Sequence, residues 1–186
     1  MWAVDAQKEP RILSTDGKFP KSLAFSADGK ALMAGFWEGI KLWQLDRPGG
    51  GAATFLGHDW PVEGGLALLP DGQTLISAGG EDLCFWDVRT RRKTSKLNPR
   101  AGLFSSIALS GDGRRLAAGA TDGRITIWDA ASHQEVATLK GHEELVSQLA
   151  FTPDGDHLVS ASKDQLRVWR APSWTDIKAA EKQASR

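Results

Sequence analysis

Two pairs of histidine and serine residues are the groups in this chain whose types could carry out covalent chemistry. The pairs are His58 with Ser77 and His142 with Ser160. A histidine that accepts the proton of a serine hydroxyl turns the serine oxygen into a nucleophile for acyl transfer. The same side chains can instead brace a fold through a hydrogen bond, so the residue types alone leave both roles open.

Other kinds of chemical site have weaker support. The four histidines are spread along the chain and are not grouped with cysteine or carboxylates at metal-ligand spacing; they are His58, His133, His142 and His157. The glycine run at 49–51 lacks the lysine of a phosphate-binding loop. We therefore expect no catalytic residue, no bound cofactor and no metal site.

Two patterns divide the chain into repeats. Tryptophans recur at intervals of 41, 43, 42 and 41 residues, at Trp2, Trp43, Trp86, Trp128 and Trp169. Asp-Gly pairs recur at intervals of 43, 41 and 42 residues, beginning at Asp28, Asp71, Asp112 and Asp154. Since the two patterns are independent and agree, they indicate a unit of about 42 residues that occurs four times after a leading fragment.

Each unit contains three segments that predict strands. In the second unit, apolar runs at 66–68 and 75–77 flank the Asp71-Gly72 pair, which predicts a tight hairpin. A third segment ends at Trp86, with apolar Leu83 and Phe85 three and one residues before it. This alternation has the period of a strand and not of a helix.

A fourth strand is predicted 11 to 13 residues after the first four tryptophans, at Leu13, Leu56, Leu97 and Leu139. No such strand follows Trp169, because residues 172–186 predict a helix with Ser173 as its N-cap. Cys84, the single cysteine, takes the position held by Lys41, Thr126 and Arg167 in the other units. We expect it to be a partly exposed, unreactive thiol.

Charge and hydropathy exclude several partners. The 23 basic and 23 acidic side chains balance, so no overall field attracts nucleic acid or an acidic membrane. The N-terminus has neither the basic region nor the apolar region of a signal peptide, and no segment approaches 18 apolar residues. We expect a cytoplasmic protein.

These features together resemble the WD40 repeat family, in particular its bacterial members. The matching residues are Gly57-His58, Gly141-His142, Trp86-Asp87, Trp128-Asp129 and the phrase FTPDGDHLVSASKDQLRVW at 151–169. The resemblance implies an all-β propeller of four blades plus a leading half blade, partial or open, with a short C-terminal helix. The expected segments are 1–15 for the half blade, 16–56, 57–99, 100–140 and 141–171 for the repeats, and 172–186 for the helical tail.

The resemblance also implies a hydrogen-bonded network that stiffens each blade. Its expected members are His58, Ser77, Glu81 or Asp82, and Trp86 in the second unit, and His142, Ser160, Asp164 and Trp169 in the fourth. The first and third units lack two members at once, because Asp16 or Arg100 replaces the histidine and Ala34 or Ala118 replaces the serine. Losing the histidine and the serine together is favourable, because a buried serine hydroxyl without its hydrogen-bond partner would destabilise the fold.

The function implied by the resemblance is a protein-interaction scaffold with no enzymatic activity. Trp37 and Trp60 lie outside the tryptophan repeat, on loops of the face that carries the histidine loops, and could anchor a protein or peptide. They could equally cover the rim of the blades. Five basic residues at 89–96 could meet an acidic partner, although a solvated turn is the simpler interpretation.

Two other functions stay open. The chain could be the C-terminal part of a larger multidomain protein without a function of its own, or a propeller enzyme that uses Ser77 or Ser160. An arc of four blades leaves an apolar face bare at each end. We expect those ends to be covered by another copy or by upstream sequence, with self-association of the isolated chain, rather than to close through the segment around Leu13.

Overall fold

The computed structural model describes residues 12–26, 28–47, 52–98, 102–163 and 165–170. These residues form fifteen strands in four antiparallel sheets, which are the blades. Blade 1 contains β1 (Ser22–Phe25), β2 (Ala31–Phe36), β3 (Gly39–Gln44) and β4 (Ala53–Leu56). Blade 2 contains β5 (Gly65–Leu68), β6 (Thr74–Gly79), β7 (Asp82–Asp87) and β8 (Arg92–Leu97). Blade 3 contains β9 (Phe104–Leu109), β10 (Arg115–Ala120), β11 (Ile125–Asp129) and β12 (Glu135–Leu139). Blade 4 contains β13 (Gln148–Phe151), β14 (His157–Ala161) and β15 (Leu166–Arg170).

The Asp-Gly pairs make the first turn of each blade. In blade 2, Asp71 Oδ1 accepts a hydrogen bond of 2.8 Å from the backbone N–H of Gln73, and Gly72 has a φ of +68°. That φ is the left-handed conformation that favours glycine. The turn sets the register in which Leu75 lies between Leu68 and Trp86.

The blades pack face to face through apolar side chains. The face that carries the repeated tryptophan, called here the tryptophan face, packs on the preceding blade, as Trp86 does with Phe55 and Met33 of blade 1. The opposite face carries the residues one and three before the tryptophan. In blade 2 these residues are Phe85 and Leu83, which pack on blade 3. Every internal interface therefore joins one opposite face to one tryptophan face.

The first strands of all four blades line one central channel, through residues that include Ser22, Gly65, Ser106 and Gln148. The blades are thus arranged around a common centre, and the predicted all-β propeller is confirmed. Within the described residues, hydrophobic clusters join blade 1 to 2, blade 2 to 3 and blade 3 to 4, but none joins blade 4 to blade 1.

The two outermost faces each expose apolar side chains. On the opposite face of blade 4, Leu166 and Val168 are 73% and 67% exposed, although their equivalents in the other blades are buried. On the tryptophan face of blade 1, Leu23 and Phe25 are 63% and 64% exposed. Trp43 on that face is buried, in a cluster that includes Leu13.

The terminal segments fall mostly outside the described residues. The C-terminal helix predicted at 172–186 lies there, as do residues 1–11 of the leading half blade. Residues 12–15 are described and form no strand. No helix in the described part of the chain is long and apolar enough to cross a membrane.

Candidate interaction surface

Trp37 and Trp60 lie on one surface of the propeller. Trp37 is in the turn between β2 and β3, and Trp60 is in the loop between β4 and β5. Their exposed fractions are 67% and 51%. The Trp60 ring rests on Gly80, where an added Cβ would come within 2.4 Å of the ring. The absence of a side chain at Gly80 therefore lets this ring lie against the backbone.

Both tryptophans line a cavity of about 500 Å³, called here the loop cavity. Leu103 and Leu145 line it as well, each with an exposed side chain. These leucines come from the loops before β9 and β13, so three blade-connecting loops and one turn supply the apolar lining.

A repeated backbone contact positions the three loops. The N–H groups of Val62, Phe104 and Val146 donate to carbonyl oxygens of the preceding blade, over 3.1, 2.7 and 3.1 Å. Leu103 and Leu145 directly precede two of these anchored residues, and Trp60 lies two residues before the third. The sequence predicted Trp37 and Trp60 as surface residues but not the two leucines. The feature that could have identified them is their shared position directly before Phe104 and Val146.

Several polar groups around the loop cavity are already engaged. Ser105 Oγ donates to the Val146 carbonyl over 2.8 Å, and Glu63 pairs with Lys21 at 3.3 Å. Asp59, beside Trp60 in sequence, has its pKa lowered chiefly by the hydrogen bond from Lys96, which lies 2.8 Å away. The cavity therefore offers mainly apolar contact, the character of a site for bulky hydrophobic side chains.

Blade 4 brings together three of its expected network residues. Trp169 Nε1 donates to Ser160 Oγ over 2.8 Å, and His142 Nε2 lies 2.6 Å from the same oxygen. The Ser160 hydroxyl can accept from Trp169 and also bond to His142 Nε2, with the direction of the second bond set by the histidine tautomer. The fourth expected residue, Asp164, lies outside the described residues.

Blade 2 arranges the same residue types differently. Trp86 Nε1 donates to Ser77 Oγ over 2.8 Å, but neither ring nitrogen of His58 has a hydrogen-bond partner within the described residues. Burial lowers the pKa of His58, although the charge of Asp82 opposes that shift. Glu81 is exposed at the turn.

The acidic residue buried in blade 2 is Asp82, next to Glu81. Its carboxylate lies 2.9 Å from Lys96 Nζ and accepts from Asn98 Nδ2 over 3.1 Å. Two lysines of the basic stretch at 89–96 therefore make contacts within the chain. Lys96 pairs with Asp82, and Lys93 donates to the Gly57 carbonyl over 2.6 Å. Arg89, Arg91 and Arg92 remain exposed.

Neither serine is placed to attack a substrate. Ser77 and Ser160 are fully buried, so a substrate carbonyl has no route to either hydroxyl oxygen. The described residues hold no group of three or more histidine, cysteine or acidic side chains suited to a metal ion. Both serines instead lie inside their blades, where each accepts a hydrogen bond from a tryptophan.

Cys84 is fully buried between blades 1 and 2, so the expectation of a partly exposed thiol is wrong. The thiol faces blade 1. Charged Lys41 and Arg167 hold the equivalent position in blades 1 and 4, so position in the repeat did not predict this burial. Burial raises the pKa of the thiol to about 11, which keeps it protonated at neutral pH.

The remaining blades lack the network hydroxyl. Ala34 and Ala118 occupy the serine positions and are buried. Asp16 is exposed and forms an ion pair with Lys41, which is the largest cause of its lowered pKa. Arg100 lies outside the described residues.

The described geometry can be compared with known families. The family model for the WD domain, G-beta repeat, matches residues 95–129 and 133–170. These two segments match WD40 repeats, which supports the assignment of the chain to the WD40 repeat family. The first match runs from β8 to the end of β11, and the second ends with β15. A search of curated proteins found no match to the chain.

The two matches show how a WD40 repeat relates to a blade. Each match starts before or within the outer strand of one blade and ends with the third strand of the next. Each matched repeat therefore spans an interface between blades, and the outer strand of one blade leads directly into the next blade.

Proposed function

We propose that this WD40 protein is a non-catalytic scaffold that binds another protein through the loop cavity. The observation that carries the proposal is the convergence of Trp37, Trp60, Leu103 and Leu145, all exposed, around one cavity. Tryptophans are frequent among the residues that dominate binding energy at interfaces. WD40 propellers generally bind protein partners, which agrees with this assignment.

The chemistry of the cavity favours a partner segment with bulky apolar side chains. Its volume of about 500 Å³ lies within the range of sites that enclose ligands. The anchored loops give it a formed shape before binding, which reduces the entropy cost of ordering on association. We propose a peptide or protein loop with one or two aromatic or aliphatic residues as the ligand.

A peptide selection tests this proposal. Linear peptides are selected from a random library on the wild-type chain, and their dissociation constants are compared with those for the Trp37→Ala/Trp60→Ala double variant. Loss of two dominant contacts should weaken binding by about 100-fold or more. The matched control is Leu56→Ala/Val136→Ala, which removes two exposed apolar side chains that do not line the cavity.

Circular dichroism of each variant checks that the fold is retained. Selected peptides that bind the tryptophan double variant with wild-type affinity would remove the loop cavity from the binding site. Peptides that lose affinity equally for the control would show non-specific adhesion and would contradict the proposal as well.

We also propose that the protein acts in the cytoplasm, without a nucleic-acid or membrane partner. The balance of 23 basic and 23 acidic side chains supports this, because binding to phosphate groups depends on an excess of positive charge. Binding of duplex DNA or of anionic vesicles at 0.15 M salt, measured by anisotropy and sedimentation, would contradict it.

A further inference from the structure

The central channel adjoins the loop cavity and differs from it in chemistry. Each blade lines the channel with two residues at the start of its first strand, which are Lys21-Ser22, Gly64-Gly65, Ser105-Ser106 and Ser147-Gln148. Glu63, Ser105 and Ser147 line both the channel and the loop cavity. A ligand in the apolar loop cavity therefore lies next to a second space, of about 320 Å³, that carries four serine hydroxyls.

The hydrogens of these four hydroxyls are already donated to backbone carbonyls. The acceptors are the carbonyls of Val62 for Ser22, of Val146 for Ser105 and for Ser106, and of Ala161 for Ser147, over 2.9, 2.8, 2.9 and 3.2 Å. Since a carbonyl oxygen can only accept, the direction of each bond is fixed. Each serine oxygen then keeps its own lone pairs as acceptors.

No donor within the described residues uses these lone pairs. The nearby backbone N–H groups of Gly64 and Ser147 donate instead to carbonyls of the neighbouring second strands, over 3.1 and 2.9 Å. None of the four serines accepts a hydrogen bond from the part of the chain that the structure describes. The wall of the channel therefore matches a ligand group that donates several hydrogen bonds and accepts none.

Glu63 adds a negative charge where the two spaces adjoin. Its Oε1 lies 3.3 Å from Lys21 Nζ, and both side chains are more than 40% exposed. A carboxylate has about four acceptor positions, so Glu63 can bind a second cation while it keeps Lys21. Among the described residues that line either space, Lys21 and Glu63 are the charged ones. An acidic ligand would thus find one charged donor, whereas a basic ligand finds a carboxylate and four serine oxygens.

We propose that the ligand is a peptide with an arginine beside an apolar residue, whose guanidinium enters the central channel while the apolar side chain fills the loop cavity. A guanidinium has five N–H donors and no acceptor, which matches this wall. Charge-assisted hydrogen bonds to Glu63 offset the cost of removing the cation from water. The peptide part of this assignment rests on the proposed function of the loop cavity.

Titration with N-acetylarginine amide tests the channel independently of the loop cavity, because this probe carries the guanidinium without an apolar neighbour. The amide NMR signals of Gly64, Gly65 and Ser106 should shift and saturate, with a half-saturation concentration on the order of 10 mM. N-acetylcitrulline amide has a neutral group of the same shape. Its half-saturation concentration should be at least about 10-fold higher, since it lacks the charge.

Two variants of the exposed ion pair should change the affinity for N-acetylarginine amide in opposite directions. Glu63→Gln removes the charge at constant length and should weaken binding about 10-fold. Lys21→Ala frees the carboxylate and should strengthen binding about 3-fold, whereas a ligand held by Lys21 would bind more weakly. Glu38→Gln is the matched control, since Glu38 pairs with Lys18 but lines neither space, and it should leave the affinity unchanged.

Peptides selected on the wild-type chain separate this proposal from the loop-cavity proposal. Replacing their arginine by citrulline should weaken binding about 10-fold. Peptides that require Trp37 and Trp60 but bind equally well with citrulline would leave the loop cavity as a site and overturn the arginine assignment. Saturation by N-acetylarginine amide without any selected peptide would keep the channel site and refute the loop cavity.

The channel site itself has four outcomes that would overturn it. These are the absence of a saturable shift, equal binding of the arginine and citrulline probes, unchanged affinity in Glu63→Gln, and weaker binding in Lys21→Ala. A loss of affinity in Glu38→Gln as large as that in Glu63→Gln would also overturn it, because the effect would then reflect the general charge of the surface.

Discussion

Blades 2 and 4 contain the same three residue types at equivalent positions but differ in burial and bonding. In blade 2, Trp86 is fully buried and meets Phe55 edge-on, with ring centroids 6.3 Å apart. In blade 4, Trp169 is half-buried, and its ring meets His142 edge-on at 6.3 Å. Side-chain hydrogen bonding shows the opposite order, since among the described residues the Ser160 hydroxyl bonds to two side chains and the Ser77 hydroxyl to one.

The contrast separates two contributions to the stability of a blade. Burial depends on neighbours, and blade 2 is packed on both faces whereas blade 4 is packed on one. Hydrogen bonding depends on the loop before the first strand, which places His142 on Ser160 but gives His58 no hydrogen bond among the described residues. We propose that the network stiffens blade 4 where packing is weakest.

The largest expected effect concerns the two tryptophans. Trp86→Ala should lower the free energy of unfolding by about 3 to 5 kcal/mol, because it leaves a cavity between two blades. Trp169→Ala should lower it by less, since the ring is half-buried and solvent can enter the space it leaves. Urea unfolding followed by circular dichroism measures both values.

Equal losses of unfolding free energy for the two tryptophan variants would contradict the view that packing against neighbouring blades determines the loss.

The next effect concerns the two histidines. His142→Ala should cost about 1 to 3 kcal/mol, because it removes a hydrogen-bond partner of the buried Ser160 hydroxyl. His58→Ala breaks no hydrogen bond within the described residues and should cost less. A double-mutant cycle with the matching Ser→Ala change should give a coupling of about 0.5 to 3 kcal/mol in blade 4 and near zero in blade 2.

Asp16→Ala is the matched control from blade 1, since Asp16 is exposed and contacts Lys41 at the surface. It should change stability by no more than about 0.5 kcal/mol. A coupling of the same size for His58 with Ser77 as for His142 with Ser160 would contradict the difference in bonding.

The smallest effect is the pH dependence that His58 contributes. Its pKa is lowered in the folded chain by burial, so the unfolded chain binds more protons between that value and about 6.5. Stability from this group is therefore fully present above about pH 6.5 and falls as the pH decreases through that window. One proton limits the slope to about 1.4 kcal/mol per pH unit.

Thermal unfolding of wild type and His58→Gln from pH 8 to 5 measures this slope. Hydrogen bonds such as that from Thr152 to Asp154 lower the pKa values of Asp112 and Asp154, so these carboxylates stay ionised over the range. A wild-type slope that persists unchanged in His58→Gln would assign the pH dependence to another group.

Much of the propeller could be predicted from local sequence. The alternation of Leu83, Phe85 and Trp86 and the Asp71-Gly72 turn specify strands and hairpins within a few residues, so one sequence suffices to recognise them. The repeat then implies the order of strands in each blade. These features depend on contacts between residues close in the chain, and their register is set by the turns.

Contacts between blades were decided by tertiary structure alone. Cys84 shares its position with charged residues yet is buried, because blade 1 covers it. Leu103 and Leu145 join Trp37 and Trp60 around one cavity only because the propeller brings separate loops to one surface. Leu166 is exposed while Ile40 is buried, although both precede their tryptophan by three residues. A repeat specifies which faces are apolar, but burial requires a partner surface, and which surfaces meet is a property of the whole arrangement.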